Sequence, residues 1–195
     1  MDALVQESLA LRARYDEEPS HSDQVAKLAL QLFDGLRPWH GLAERSRKLL
    51  HSAALLHDIG WSQTPDGKGH HKWSARLIRE YSWENLSTDE VNVVAEMARY
   101  HRKTPPLADH ADFHALKAPA KNVVMILGGI LRVADALDRT HTARITRVEV
   151  VIAKAALTVR VRAEGNWNAE RAMFEIKRDM LQTASQRAVE CEEIE

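Results

Sequence analysis

The chain has 195 residues, of which 45% are hydrophobic and 28% charged, and its formal net charge is −1. This composition is typical of a soluble globular protein with one substantial core, and it gives no global attraction to nucleic acid or a membrane. The single cysteine, Cys191, excludes a disulfide framework and a thiolate metal site. Because no apolar run approaches the roughly 20 residues of a membrane span and no signal-peptide pattern begins the chain, we expect a cytoplasmic protein.

Apolar residues at the three-or-four spacing of amphipathic helices fill the first 140 or so positions. Helices are predicted at about residues 21–36, 42–58, 70–81, 88–100 and 121–139. Helix-start, turn and loop residues interrupt the pattern at 17–20, 35–41, 63–69 and 104–117. In the second of these interruptions, Gly35, Pro38 and Gly41 predict a turn. The last interruption is expected to be a loop or a short helix.

The pattern changes after about residue 142. Apolar residues then alternate with polar or small ones in two runs: Val148, Val150 and Ile152, and Leu157, Val159 and Val161. This period of two predicts a β-hairpin, and Asn168 to about Glu190 is predicted to return to helix, with a frayed acidic end. We therefore predict a mainly α fold, with a helical metal-binding domain over residues 1–142. A small hairpin-helix appendage over residues 143–195 is expected to pack on it.

His57 and Asp58 stand side by side at the end of the second predicted helix, directly after the apolar residues 53–56. Polar groups at the end of a buried helix cost free energy unless they are paired or ligated. Other metal-competent side chains stand before and after this doublet: His21, His70, His71, His101 and Asp135. Imidazoles and carboxylates without a thiolate suit Mn, Mg, Co, Ni, Zn or Fe. The ordered set therefore predicts a site for one or two divalent ions.

The order of these residues resembles the HD superfamily of metal-dependent phosphohydrolases, whose pattern is His, His-Asp, Asp. It resembles more closely the HD-type region in the C-terminal half of exopolyphosphatase/guanosine pentaphosphatase (Ppx/GppA) proteins. Five segments in order carry the resemblance: 21–26, 54–60, 69–75, 99–103 and 131–139. They span about residues 20–144, and the following hairpin and helix also resemble the tail of that region. The resemblance implies a helical bundle, in agreement with the periodicity.

The resemblance implies a first metal held by two histidines and two aspartates: His21, His57, Asp58 and Asp135. His101 and one histidine of the His70-His71 pair would hold a second metal or contact phosphate. His70 is slightly favoured because Ser74 follows it four residues later, in the usual register. Asp58 is the expected bridging ligand, and Asp58 and His101 are the expected catalytic residues.

Basic residues beside these motifs are expected to bind the substrate phosphate through charge-assisted hydrogen bonds. They are Lys72, Arg102, Lys103, Arg132 and Arg139. Asp138 shares a helix face with Asp135, and it fits either support of that ligand or contact with the substrate. The five tryptophans are expected mainly in packing, and His110, His114 and His141 at the surface.

Two departures from the Ppx/GppA pattern narrow the function. The actin-like half and a glycine-rich phosphate loop are missing from this sequence, so hydrolysis of polyphosphate by that half's mechanism is not expected. Trp61 stands where some HD families have a lysine, which disfavours the cyclic-dinucleotide phosphodiesterases. The complete first-metal set favours a working phosphohydrolase, which uses metal-activated water to cleave a nucleotide or another small phosphorylated metabolite.

Two other functions stay open on the sequence alone. Some HD proteins with the same six-ligand set are di-iron oxygenases that cleave organic substrates. The third hypothesis is a non-catalytic module that binds a nucleotide such as an alarmone. The edge of the predicted hairpin also allows a homodimer. The substrate, the native metal and the number of ions are not identified by the sequence.

Overall fold

The computed structural model describes residues 2–16 and 19–194 and has the predicted mainly α fold. The helices are α1 (Ala3–Arg12), α2 (Ser20–His40), α3 (Glu44–Leu56), α4 (His70–Glu80), α5 (Thr88–Tyr100), α6 (Ala111–Ala115), α7 (Ala118–Ala136), α8 (Asn168–Lys177) and α9 (Asp179–Ser185). The strands are β1 (Ile145–Ile152), β2 (Ala156–Ala163) and β3 (Ala188–Glu193), and a 3-10 turn covers Ile59–Gln63. Glu17 and Glu18 of the predicted helix start, and Glu195 of the predicted frayed tail, lie outside the described residues.

The core lies where α2, α3, α5 and α7 pack against one another. The apolar residues of α2 that recur at helical spacing are fully buried, for example Leu28, Leu32 and Leu36. Full burial of one such side chain contributes about 1.5–3 kcal/mol. On α7, Gly129 allows α9 to approach closely, since a Cβ there would lie 2.9 Å from the Leu181 backbone. This contact packs the C-terminal helices against the helical bundle.

The turn predicted at residues 35–41 is wrong for most of its length, because α2 continues to His40. Pro38 lies in the last turn of the helix, where its missing N–H removes one bond from a helix that ends two residues later. Gly41 (φ 60°) ends the helix in the left-handed conformation, and its N–H donates to Arg37 O at 2.9 Å. Gly35 serves packing instead, since a Cβ there would lie 2.9 Å from Val150 Cγ2 of β1.

The predicted hairpin is confirmed, and a third strand joins it. β1 pairs antiparallel with β2, and β2 pairs parallel with β3. The predicted helix from Asn168 to Glu190 is therefore wrong at its C-terminal end, because α9 stops at Ser185 and the chain turns into β3. This acidic segment forms a strand instead of fraying because its backbone pairs with β2 and Val189 is buried.

The sheet and the C-terminal helices pack on the helical body through both apolar and polar contacts. Gln24 Nε2 of α2 donates to Ile145 O at 2.6 Å, and the Val148 N–H donates to Gln31 Oε1 at 2.7 Å. This packing carries α8 to the end of α7. The division of the chain at residue 142 stays a prediction. Among the described residues, none of the helices combines the length and the apolar character that crossing a bilayer requires.

Candidate metal centre

The predicted ligands lie at the ends of five helices that meet at one point. His21 lies in the first turn of α2 and Asp135 in the last turn of α7. The others lie where a helix ends or begins: His57 and Asp58 follow α3, His70 begins α4 and His101 follows α5. The structure therefore brings together residues that are separated by up to 114 positions, since Asp135 lies 135 − 21 positions after His21.

The ligands form two groups that could each hold a metal ion. In the first group, His21, His57 and Asp135, the ligand atoms lie within 4.8 Å of one another, and His21 Nε2 is 3.4 Å from Asp135 Oδ1. In the second group, Asp58 Oδ1 lies 3.2 Å from His70 Nε2 and 3.3 Å from His101 Nε2. The other carboxylate oxygen of Asp58 points to the first group, 3.7 Å from His57 Nε2 and 3.9 Å from His21 Nε2. Asp58 thus lies between the two groups.

The hydrogen bonds at Nδ1 orient these imidazoles. His57, His70 and His101 donate from Nδ1 to backbone carbonyls at 2.7, 2.8 and 2.6 Å. The acceptors lie three residues earlier in each case: Ala54, Gly67 and Ala98. His21 donates from Nδ1 to Asp138 Oδ2 at 2.8 Å. Because a carbonyl or carboxylate only accepts, Nδ1 carries a proton in each ring and Nε2 is the nitrogen that faces the centre, where it can act as a metal ligand.

Several buried atoms that face the centre have no hydrogen-bond partner among the described residues. They are His21 Nε2, His57 Nε2 and Asp58 Oδ1. Buried polar atoms without partners are rare and costly, so they need an explanation. A divalent cation in the first group would satisfy His21 Nε2 and His57 Nε2, and one in the second group would satisfy Asp58 Oδ1, because imidazole nitrogen and carboxylate oxygen are ordinary ligands of such ions. The residues present therefore fit a metal ion.

The electrostatics of the first group also favour positive charge. Burial opposes protonation of His21, but the hydrogen-bonded carboxylates Asp135 and Asp138 outweigh burial and raise its pKa to about 9. Burial would raise the pKa of Asp135, but the charge of Lys177 and the hydrogen bond with His21 hold it well below its ordinary value. The carboxylates around His21 thus attract a cation, whether a proton or a metal ion.

Two cavities open onto the centre. The first, which we call the aromatic cavity, has a volume of about 370 Å³ and is lined by Tyr15, Asp16, His21, Ser22, Asp58, Trp61, Ser62 and His141. The second, the cationic cavity, has a volume of about 350 Å³. It is lined by Asp58, Trp61, His70, His101, Arg102, Lys103, Arg132, Asp135, Arg139, His141, Met173, Ile176 and Lys177. Three lining residues are common to both cavities, so the ligands lie at their junction: Asp58, Trp61 and His141.

The predicted phosphate-binding cations divide into three cases. Arg102, Lys103 and Arg139 line the cationic cavity. Lys72 is exposed and lines neither cavity. Arg132 borders the cationic cavity but is only 1% exposed, because its guanidinium donates two bonds to Asp179 at 3.0 Å. The guanidinium thus joins α7 to α9, and phosphate binding by Arg132 stays a prediction.

The two histidines of the adjacent pair lie in different surroundings. His70 belongs to the second group, whereas His71 belongs to neither group. His71 is buried, its Nδ1 has no hydrogen-bond partner among the described residues, and burial lowers its pKa to about 4. His71 as a metal ligand is therefore not supported by this arrangement.

Three residues at the centre were not predicted to be there. His141, expected at the surface, stacks on His21 with ring centroids 3.7 Å apart. Trp61, expected in packing, is 49% exposed and stacks on His70. Lys177 of α8 forms an ion pair with Asp135. No spacing rule could find Lys177, because it lies 42 residues after Asp135 and reaches it only through the packing of α8 on α7.

Comparison with known proteins gives one family. The family model described as Ppx/GppA phosphatase, domain III, matches residues 6–182 of the chain. The match covers the helical body with all the predicted ligands, the hairpin, and α8 with Lys177. No curated protein matches the chain.

Proposed function

We propose that this chain, which belongs to the Ppx/GppA phosphatase domain III family, is a metal-dependent phosphohydrolase of the HD type. Its substrate would be a phosphoester of a nucleotide or of another small phosphorylated metabolite. The observation that carries the proposal is the pair of ligand groups joined by Asp58, with their Nε2 and carboxylate atoms facing one another beside the cationic cavity.

The two groups would hold one or two divalent ions, of Mn, Mg, Co, Ni, Zn or Fe. His21, His57, Asp58 and Asp135 would hold one ion, and Asp58, His70 and His101 a second. A bound ion of this kind supplies activation of water and neutralisation of negative charge on the phosphoryl group.

The residues of the chain position the reactants around the ligands. Arg102, Lys103 and Arg139 line one side of the centre and bind the phosphoryl oxygens through charge-assisted hydrogen bonds. Asp58 lies between the two groups and orients the attacking water through its carboxylate. His101 is 2% exposed, so its contact with Asp58 is shielded from bulk water, which strengthens the electrostatic interactions at the reacting phosphate.

A second candidate function is a di-iron oxygenase. It is favoured by the same observation of two ligand groups that share one bridging carboxylate. Three cations of the cationic cavity favour phosphate instead, because no carboxylate of the described residues pairs with them and an uncharged organic substrate would not need them. They are Arg102, Lys103 and Arg139.

Metal content and phosphate release test the proposal together. The purified protein is analysed for its elements and then assayed for phosphate release from a panel of phosphoesters with Mn, Mg or Co. We expect metal-dependent turnover that Asp58→Ala abolishes and that Asp89→Ala leaves intact, because Asp89 is an exposed carboxylate paired with Lys117 at the surface.

The possible results separate the candidate functions. A metal-replete wild type that is inert across the panel contradicts the phosphohydrolase. Bound iron with an oxidation-dependent visible or EPR spectrum supports the oxygenase, and a colourless protein with another metal rules the oxygenase out. Tight nucleotide binding without any product supports a binding module.

A further inference from the structure

We propose, on the basis of the phosphohydrolase function above, that the substrate is a phosphomonoester carrying an aromatic ring. The phosphate lies at the junction of the cavities on the cationic side, and the ring lies in the aromatic cavity beside Tyr15 and Trp61.

The charges on the two sides of the centre differ, and this difference sets the orientation. The cationic cavity presents Arg102, Lys103, Arg139 and Lys177 around the ligands. Among the lining residues that the structure describes, the aromatic cavity has no lysine or arginine, and it carries the carboxylate of Asp16. A phosphate group is therefore attracted more strongly to the first cavity than to the second. The part of the substrate that enters the aromatic cavity is therefore not a second phosphate.

The lining of the aromatic cavity suits a planar ring. Trp61 is 49% exposed although it lies at the junction of the cavities, and Tyr15 is partly buried on the same cavity wall. The volume of about 370 Å³ falls within the range of small-molecule sites. Aromatic side chains in such sites bind rings by offset stacking or edge-to-face contact.

The loop before α4 is shaped to accept Trp61 in this position. Gly67 has φ 66°, and a Cβ at this residue would lie 2.0 Å from Trp61 Cζ3. The indole also stacks on His70, with centroids 4.5 Å apart and planes inclined by 20°. The tryptophan is thus held against a predicted ligand while half of its surface stays accessible.

Both cavities can be filled by one molecule, because Asp58 lines both and the ligands lie between them. Pyrophosphate or a short polyphosphate would occupy the cationic cavity and leave the aromatic cavity unused. A nucleoside monophosphate fills both, with its phosphate on the cations and its base beside Tyr15.

The test compares ribose 5-phosphate with adenosine 5′-monophosphate, in which the adenine ring replaces the hydroxyl on C1 of the sugar. We expect kcat/KM to be about tenfold higher for the nucleotide, the value that one aromatic contact contributes. Tyr15→Leu should remove this preference by raising KM for the nucleotide and leave ribose 5-phosphate within about twofold. The matched control is Tyr81→Leu, since Tyr81 contacts Trp83 and Arg14 and lines neither cavity.

Binding of the ring can be measured independently of hydrolysis. Calorimetry with the same two compounds, and saturation-transfer NMR with adenosine alone, should show contact with the base that Tyr15→Leu removes. Equal kcat/KM values, a preference for pyrophosphate, or an equal loss for both compounds in Tyr15→Leu overturns the ring proposal. If no phosphoester is hydrolysed with any metal, the phosphohydrolase fails, and the binding of the nucleotide relative to ribose 5-phosphate still decides the ring proposal.

Discussion

Replacement of Asp138 by asparagine should impair metal binding by changing which nitrogen of His21 carries the proton. Asp138 is 1% exposed, and its Oδ2 accepts from His21 Nδ1 at 2.8 Å. Its Oδ1 accepts from the Ala143 N–H at 2.8 Å, so in Asp138→Asn the amide oxygen must stay at that position. The amide NH2 then faces His21 Nδ1, donates to it, and leaves the ring proton on Nε2, where it points at the metal site.

The expected loss of metal affinity is about 10- to 100-fold, the usual effect of removing a group that orients a ligating histidine. Competition with a chromophoric chelator at fixed pH measures it. Asp89→Asn is the control, because Asp89 is an exposed carboxylate at the start of α5. Unchanged affinity in Asp138→Asn, with wild-type stability, would refute the reasoning that the Asp138 carboxylate holds His21 in its ligating form.

Three further predictions concern stability, thiol reactivity and backbone packing. Asp179→Asn should lower the free energy of unfolding in urea by about 2 kcal/mol, since the buried Arg132 loses its counter-charge and keeps only carbonyl acceptors such as Tyr100 O. Arg132→Met should cost less, because Asp179 is 41% exposed and stays solvated; the opposite order would contradict this assignment. Burial raises the pKa of the Cys191 thiol to about 12. Iodoacetamide at pH 8 should therefore alkylate the native protein about a thousandfold more slowly than the unfolded chain. Equal alkylation rates would refute this prediction. Gly60→Ala should lower both the melting temperature and the metal affinity, because its Cβ would lie 2.1 Å from His70 O at the start of α4; a wild-type melting curve with wild-type affinity would contradict it.

The helices and the order of the ligands could be predicted because both depend on residues that are close together in the sequence. The 3.6-residue period of α2 identifies its buried face whatever the helix packs against. His57 and Asp58 could be placed at a helix end because an apolar run precedes them and Gly60 follows. The pairing of β1 with β2 was equally local, since the two strands alternate with a period of two and adjoin in the chain.

The features that were missed depend on contacts between distant segments. The sequence predicts a turn at Gly35 because it does not reveal that Val150 packs on this residue. The acidic end of the chain forms a strand because Val189 is buried beside β2, and the sequence does not reveal this contact. Arg132 is a residue type that commonly binds phosphate, but in the structure its guanidinium forms an ion pair with Asp179.

At the candidate site, the order of ligands was predictable and the surrounding residues were not. His141 and Lys177 come to the centre from a loop and from α8, and neither has a fixed spacing to the ligands. Their positions follow from the packing of the C-terminal part on the helical body. In a site that is assembled from helix ends, the metal ligands can therefore be predicted from the sequence. The residues that surround the ligands are identified only from the structure.

The most direct test of the account is the release of inorganic phosphate by wild-type protein whose metal has been removed with a chelator and then restored. We predict that nucleoside monophosphate is hydrolysed only after Mn, Mg or Co is returned, with no turnover in Asp58→Ala at the same metal concentration. Turnover that persists in the chelated protein, or that survives Asp58→Ala, would contradict a metal-dependent phosphohydrolase centred on His57 and Asp58.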